Sequence, residues 1–199
     1  MLQVKQIVNR VFSSNTFILS DDEFKTCFLV DVGDVDKVIG ILPEGAIIKG
    51  VLLTHTHFDH IYGINELYRR FPESIVYTSE YGKEALHSAK KNFSFYHERS
   101  IAFEGNNMVV LHEGDEIEIG FEEKLKLLET PGHCPSCLTY YNNDMIFTGD
   151  SYIPGVPVVT KLPKGSRKDS DASIQKISVL TEGRVIFAGH NKDNWTSWI

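Results

Sequence analysis

The chain has 199 residues, of which 42% are hydrophobic and 24% are charged, and its formal net charge is −7 at pH 7. This length fits one domain over residues 1–199 that is large enough to bury a sizeable core. The acidic balance argues against nucleic acid as a partner, because nonspecific binding to nucleic acid needs a basic surface.

The N-terminal segment mixes polar and apolar residues without a continuous apolar run, so no signal peptide is predicted. No apolar stretch approaches the length of a membrane span. Cys27, Cys134 and Cys137 do not make a disulfide framework in a chain of this length. We therefore expect a cytoplasmic protein without a membrane partner.

Short runs of β-branched and aromatic residues recur along the chain and predict strands. In chain order these runs are 17–19, 27–30, 47–53, 75–77, 108–111, 116–119, 125–128, 138–141, 145–147 and 185–187. The Asn-Asn-Asp sequence at 142–144 is a turn signal, so the two strands beside it are expected to form a hairpin.

Apolar residues at helical spacing predict helices within 35–42, 61–71, 81–89 and 174–180, with Asp34 as the N-cap of the first. Interleaved helices and strands, with hairpin-like pairs in the middle, favour a mixed α/β layered domain. Residues 151–168 are predicted to form a loop that contains a basic cluster. This loop is either a solvated surface segment or a binding loop.

The segment 52–63 contains the strongest chemical signal. His55, His57, Asp59 and His60 place three imidazoles and a carboxylate within six residues, where a predicted strand meets a predicted helix. Side chains at i and i+2 of an extended segment point the same way, so His55 and His57 are suited to hold one ion together. Asp59 and His60 lie at the turn and are suited to face a second ion. Imidazole and carboxylate are the ligands expected for zinc, and they also suit iron or manganese.

The pattern His55-x-His57-x-Asp59-His60 resembles the signature of the metallo-β-lactamase-fold hydrolases. Other motifs of that family follow in order: Thr130-Pro131-Gly132-His133, Thr148-Gly149-Asp150 and Ala188-Gly189-His190. Residues 15–17 and 30–34 resemble the early strand motifs of the family, so the resemblance runs from about residue 12 to His190.

This resemblance implies an α/β fold, a four-layer αβ/βα sandwich with a two-metal site between its sheets. The implied ligands are His55, His57 and His133 for the first ion, Asp59, His60 and His190 for the second, and Asp150 as a bridge between them. Asp31 either orients a ligand or stabilises a turn. His87, His97 and His112 match no motif and are expected to be surface or packing residues.

Within the superfamily the chain resembles the small glyoxalase II-like (hydroxyacylglutathione hydrolase-like) branch, whose members hydrolyse thioesters of glutathione. Two divalent ions lower the pKa of a shared water from about 16 to roughly 7, which supplies hydroxide at neutral pH. The resemblance therefore implies a metallo-hydrolase that cleaves a thioester, or a related ester or lactone, of a small molecule. Asp150 and Asp59 are the predicted catalytic residues, with Asp59 a candidate for proton delivery.

The chain continues for nine residues beyond His190, so we expect it to lack the C-terminal helical domain through which full-length glyoxalase II enzymes contact glutathione. The loop after Asp150 also departs from their usual sequence. Tyr152, Lys164 and Arg167 are the candidate substrate-binding residues, the two basic ones as partners for a carboxylate or phosphate.

Two other interpretations stay open. One is a mononuclear-iron enzyme that resembles the persulfide dioxygenases of the same superfamily. The other is a catalytically silent metal-binding or redox-sensing domain that uses Cys134 and Cys137, which form a C-x-x-C pair directly after His133. Small, weakly polar cysteines also suit a packed turn, and we favour packing over a redox role for this pair.

Overall fold

A computed structural model describes residues 2–21, 23–120 and 122–192, and two sheets lie within these ranges. The first sheet has the strand order β1 (Gln3–Val8), β2 (Asn15–Ser20), β3 (Thr26–Val30), β4 (Ile47–Leu52), β5 (Ile75–Thr78) and β6 (Met108–Val110). The second has the order β11 (Val185–Ala188), β10 (Met145–Gly149), β9 (Leu138–Tyr141), β8 (Glu123–Glu129) and β7 (Glu116–Gly120). Each predicted strand is present, and β1 is an additional strand.

The first sheet is antiparallel from β1 to β3 and parallel from β3 to β6. Its connections contain the helices α1 (Val35–Ile39), α2 (Phe58–Ile61), α3 (Ile64–Arg70) and α4 (Glu80–Leu86). The helix predicted within 61–71 is present as α3, whereas Ile61 belongs to the preceding short helix α2. Helix α2 ends at Ile61 and α3 begins at Ile64. Gly63 lies between them, and a side chain there would lie 2.1 Å from the Gly33 carbonyl oxygen.

The second sheet is antiparallel from β7 to β10, with the predicted hairpin between β9 and β10, and β11 pairs with β10 in parallel. Helix α5 (Arg167–Leu180) precedes β11. The Ser166 hydroxyl caps this helix by accepting a hydrogen bond from the Asp169 backbone nitrogen. Arg167 and Lys168 therefore belong to a helix and not to the predicted loop.

Alternating strand residues of the first sheet divide between two cores. Ile18 and Leu29 pack with apolar residues of the helices, such as Val38 and Leu67. Residues that point to the opposite face pack against the second sheet in a cluster that includes Phe17, Phe28, Val30, Leu125, Tyr140 and Phe147. With α5 behind the second sheet, the layers are helix, sheet, sheet and helix, as predicted.

Among the described residues, none of the helices is long and apolar enough to cross a membrane.

Candidate metal centre

The predicted ligands all lie just beyond strand ends, where the two sheets meet. His55 and His57 follow β4, and the first turn of α2 carries Asp59 and His60. From the second sheet, His133 lies between β8 and β9, Asp150 follows β10 and His190 follows β11. The fold thus brings together all seven side chains that the motifs identified, four from the first half of the chain and three from the second.

The first group contains His55, His57 and His133, each of which offers a ligand atom within 4.8 Å of the others. His57 Nδ1 and His133 Nε2 lie 2.9 Å apart. Two ring nitrogens that face each other at this distance need a proton or a cation between them, because two lone pairs repel. All three rings are buried.

The second group contains Asp59, His60 and His190. His190 Nε2 lies 3.2 Å from Asp59 Oδ2 and 3.3 Å from His60 Nε2. The carboxylate of Asp150 contacts both groups, since Oδ2 lies 3.6 Å from His133 Nε2 and from His190 Nε2, and Oδ1 lies 3.5 Å from His60 Nε2. Asp150 is therefore suited to bridge two ions.

Hydrogen bonds on the far side of the rings fix which nitrogen faces the centre. The Nδ1 atom of His133 lies 2.8 Å from the Val159 carbonyl oxygen, which can only accept a hydrogen bond, so Nδ1 carries the proton and Nε2 is left for an ion. His60 Nδ1 lies 2.8 Å from Asp31 Oδ2 in the same way. Asp31 also accepts hydrogen bonds from the backbone and hydroxyl of Thr54, so its carboxylate holds both the His60 ring and the turn at Thr54.

The electrostatics favour positive charge in the half of the centre that is rich in carboxylates. Burial opposes protonation of His60, but Asp59, Asp31 and Asp150 raise its pKa well above the ordinary value. Burial, together with the neighbouring histidines, lowers the pKa of His55 well below its ordinary value. A neutral His55 offers a lone pair, and the carboxylate field that stabilises an imidazolium also stabilises a divalent cation.

The centre fits the binding of divalent metal ions by an independent criterion. His55 Nε2 and Asp150 Oδ1 are buried and have no hydrogen-bond partner among the described residues. Buried polar atoms without a partner are costly, and a coordinated ion would satisfy both. Gly189 supplies the space for this arrangement, since a side chain there would lie 2.1 Å from Asp150 Oδ1.

A model of the metallo-beta-lactamase superfamily matches residues 9–190, a span that includes all seven predicted ligands. The chain belongs to the metallo-β-lactamase superfamily.

Solved structures and a curated relative agree with this assignment. The BLEG-1 B3 metallo-beta-lactamase is 28% identical with a TM-score of 0.86, and the alignment covers 95% of this chain and 92% of that one. TTHA1623, solved in a di-iron-bound form, is 23% identical with a TM-score of 0.79 over 94% of this chain and 92% of that one, which shows the shared fold. Hydroxyacylglutathione hydrolase of Blochmanniella pennsylvanica is 30% identical over 165 residues, 82% of this chain and 57% of the relative.

These matches confirm the predicted family and fold, and they support the metallo-hydrolase class. The chain spans between 57% and 64% of the length of the first curated relatives it matches.

The cavity of this superfamily member opens directly onto the metal centre and has a volume of about 370 Å³. Five predicted ligands form its floor, namely His57, Asp59, His133, Asp150 and His190. Aromatic and aliphatic side chains form its walls, including Phe93 and Tyr96 from the segment after α4.

The structure does not bring the three predicted substrate-binding residues into this cavity. Tyr152 and Arg167 line a separate cavity of about 290 Å³, and Lys164 lines neither. The physical reason is that α5 starts at Arg167 and carries it away from the centre, while the preceding loop presents Leu162 and Pro163 to the metal centre.

Sequence reasoning also missed the wall residues. His97, expected only on the surface or in packing, stacks on Phe58 with a centroid distance of 4.3 Å and lines the cavity with it. Three aromatic residues within 93–96, in a segment without helical or strand periodicity, were the available signal.

Cys134 and Cys137 are buried thiols with their Sγ atoms 3.3 Å apart. Burial, together with the neighbouring Cys134, raises the pKa of the Cys137 thiol well above its ordinary value. The pKa of Cys134 falls well below its ordinary value despite burial, because Cys137 and His57 stabilise the thiolate. Their packing role stays a prediction.

Proposed function

We propose that this protein is a metal-dependent hydrolase that cleaves a thioester, or a related ester or lactone, of a small molecule. Two divalent ions are the proposed cofactors, with zinc as the first candidate and iron or manganese as alternatives. One observation carries the proposal: two groups of ligand atoms meet at the single carboxylate of Asp150, beside a cavity of small-molecule size.

In the proposed site His55, His57 and His133 would hold one ion, Asp59, His60 and His190 would hold the other, and Asp150 would be available to both. When bound, such a pair acidifies a water molecule and polarises a substrate carbonyl. The distances between Asp150 and the histidines of both groups support this division.

Asp59 is the proposed proton carrier. Its carboxylate lines the cavity, with Oδ2 3.2 Å from His190 Nε2. An ionised carboxylate at this place can accept the proton that the attacking water loses and deliver it to the departing thiolate or alkoxide.

The reaction class is supported by the curated relatives named hydroxyacylglutathione hydrolase. We propose the thioester bond by analogy with that name and do not extend the proposal to glutathione, since this chain spans only part of those relatives.

Metal analysis and a substrate panel test the proposal together. The protein, loaded separately with zinc, iron and manganese, is assayed on thioesters, lactones, β-lactams and phosphodiesters. We expect two ions per chain and hydrolysis of thioesters. A variant with both Asp150→Ala and His57→Ala should lose metal and activity, whereas the matched control His112→Ala, at an exposed histidine outside the centre, should keep both.

Two results would contradict the proposal. Metal content that survives the double substitution would show that the ligand assignment is wrong. One iron per chain with consumption of O₂ on a persulfide would identify a mononuclear-iron dioxygenase instead.

A further inference from the structure

The walls of the cavity beside the metal centre define a substrate class. On the basis of the proposed hydrolase function, we propose that the substrate carries an uncharged apolar group of ring size next to its scissile bond.

Aromatic rings begin directly at the metal ligands. The ring of Phe93 lies 4.8 Å from that of His57, centroid to centroid. On another wall Phe58 stacks on His97, with an interplanar angle of 11°. A substrate whose carbonyl reaches the centre therefore places the neighbouring group against flat apolar faces, which bind rings and branched aliphatic groups well.

The aromatic wall is rigidly built. Phe12 and Phe93 have φ angles of 54° and 63°, a left-handed conformation that bulky residues rarely adopt. The side chain of the buried Asn92 holds the second of these turns, because it donates hydrogen bonds to the carbonyl oxygens of Ala85 and Ile101 and accepts one from the Ser94 nitrogen. Strained backbone of this kind persists only where its surroundings enforce it, and it concentrates at ligand sites.

None of the described residues that line the cavity beside the metal centre is Lys or Arg, and the two carboxylates among them, Asp59 and Asp150, are proposed metal ligands. The loop with the basic cluster contributes Val159, Leu162 and Pro163 to the wall, not its lysines.

An adjoining cavity, which shares part of its lining with the first, contains two arginines, Arg10 and Arg99. Arg10 forms ion pairs with Asp34, at 3.4 Å, and with Asp36, at 2.6 Å. Both arginines lie outside the described lining of the cavity beside the metal centre. In that cavity an anionic substrate group would lose its hydration without meeting a lysine or arginine, whereas an apolar group loses nothing.

Four thioesters provide the test: the lactoyl and phenylacetyl esters of glutathione and of the uncharged thiol N-acetylcysteamine. With the metal-loaded full chain, we expect kcat/KM for phenylacetyl to exceed that for lactoyl by about tenfold or more on either thiol. The size of this preference should agree on the two thiols to within about twofold, because the preference belongs to the acyl group and not to the carrier.

Variants then assign the preference to the wall. Tyr96→Ala and the milder Phe93→Leu should each lower the phenylacetyl-to-lactoyl ratio by about fivefold. The matched control is Phe95→Ala. The Phe95 ring belongs to the same turn, but it is 55% exposed and does not line the cavity. Its ratio should stay within about twofold of the unsubstituted protein. Because the readout is a ratio, a change in metal loading or folded fraction cancels.

The outcomes separate this inference from the function on which it rests. Equal rates for the two acyl groups, or a preference that appears on only one of the two thiols, would overturn the inference and leave the hydrolase intact. If no thioester is cleaved by the protein with two ions, the proposed function fails, and calorimetry of phenylacetate against acetate then decides the inference. Tighter binding of phenylacetate by about tenfold supports the apolar wall, and equal binding refutes it.

Discussion

The substitution Asp31→Asn tests whether one buried carboxylate orients the metal ligand His60. Asp31 is 1% exposed and accepts three hydrogen bonds, two from Thr54 and one from His60 Nδ1. Asparagine keeps the size of the side chain but replaces one acceptor oxygen with an NH₂ donor. In either amide orientation one donor then faces another donor, at His60 Nδ1 or at the Thr54 nitrogen.

This unsatisfied donor should lower both the free energy of unfolding and the affinity for metal. One unsatisfied buried donor costs about 1–3 kcal/mol of unfolding free energy. When the donor is His60 Nδ1, the ring can escape only by moving its proton to Nε2, the atom that faces the ion. Loss of such an orienting partner typically lowers metal affinity by about 10- to 100-fold.

Two measurements separate these effects: denaturant unfolding of the metal-free protein, and competition for zinc with a chromophoric chelator. The matched control is Asp34→Asn, at a buried carboxylate that accepts hydrogen bonds from Tyr62 and from the Arg10 backbone but contacts no ligand. We expect both substitutions to lower stability and only Asp31→Asn to weaken zinc binding. Equal zinc affinity in the two variants would refute the orienting role.

Four further predictions concern other parts of the molecule. Burial raises the pKa of Cys27 to about 12 from 9.0, so between these values the folded thiol stays neutral while the unfolded thiol ionises. The free energy of unfolding should therefore fall by about 1.4 kcal/mol between pH 8 and pH 10. Cys27→Ala should lack this part of the pH dependence. Gly132→Ala should lower the free energy of unfolding by about 3 kcal/mol, because Gly132 has a φ of 139° and a side chain there would meet the backbone of α5. Gly183→Ala, where φ is positive but the space is open, should cost less in the same denaturant experiment. The double substitution Cys134→Thr with Cys137→Ser should keep metal and activity and lose any sensitivity to peroxide, and loss of metal would contradict the packing role. Chelation should lower the thermal midpoint, since free zinc at 100 times its dissociation constant stabilises the folded state by about 2.7 kcal/mol; an unchanged midpoint would contradict a site formed by folding.

The metal centre was predictable because its ligands are local events in the sequence. Each follows a short apolar run, and the ends of neighbouring strands converge at one edge of a sheet. Only the family resemblance predicted His133 and His190 as ligands, since a single histidine in a turn has no distinguishing sequence pattern. Their convergence with His55 depends on contacts across the two sheets that periodicity does not encode.

The substrate cavity was not predictable for a related reason. Side-chain direction in a loop depends on specific hydrogen bonds, such as those of Asn92, and not on a repeating pattern. A charge count drew attention to Lys164 and Arg167, whereas the loop turns Leu162 towards the centre. Strand β1 was missed because it is an edge strand with only Ile7 buried, so its apolar signal is weak.

The apolar wall and the charged centre are physically linked. An ion pair or an ion–dipole contact is stronger where water is excluded, because the effective dielectric constant is lower there. Phe93 beside His57 and Phe58 beside His97 keep water from one side of the centre. The same rings that would select an apolar substrate therefore strengthen the attraction between the proposed ions and a developing oxyanion. An apolar substrate group that fills the cavity would thus contribute both to substrate binding and to the rate of hydrolysis.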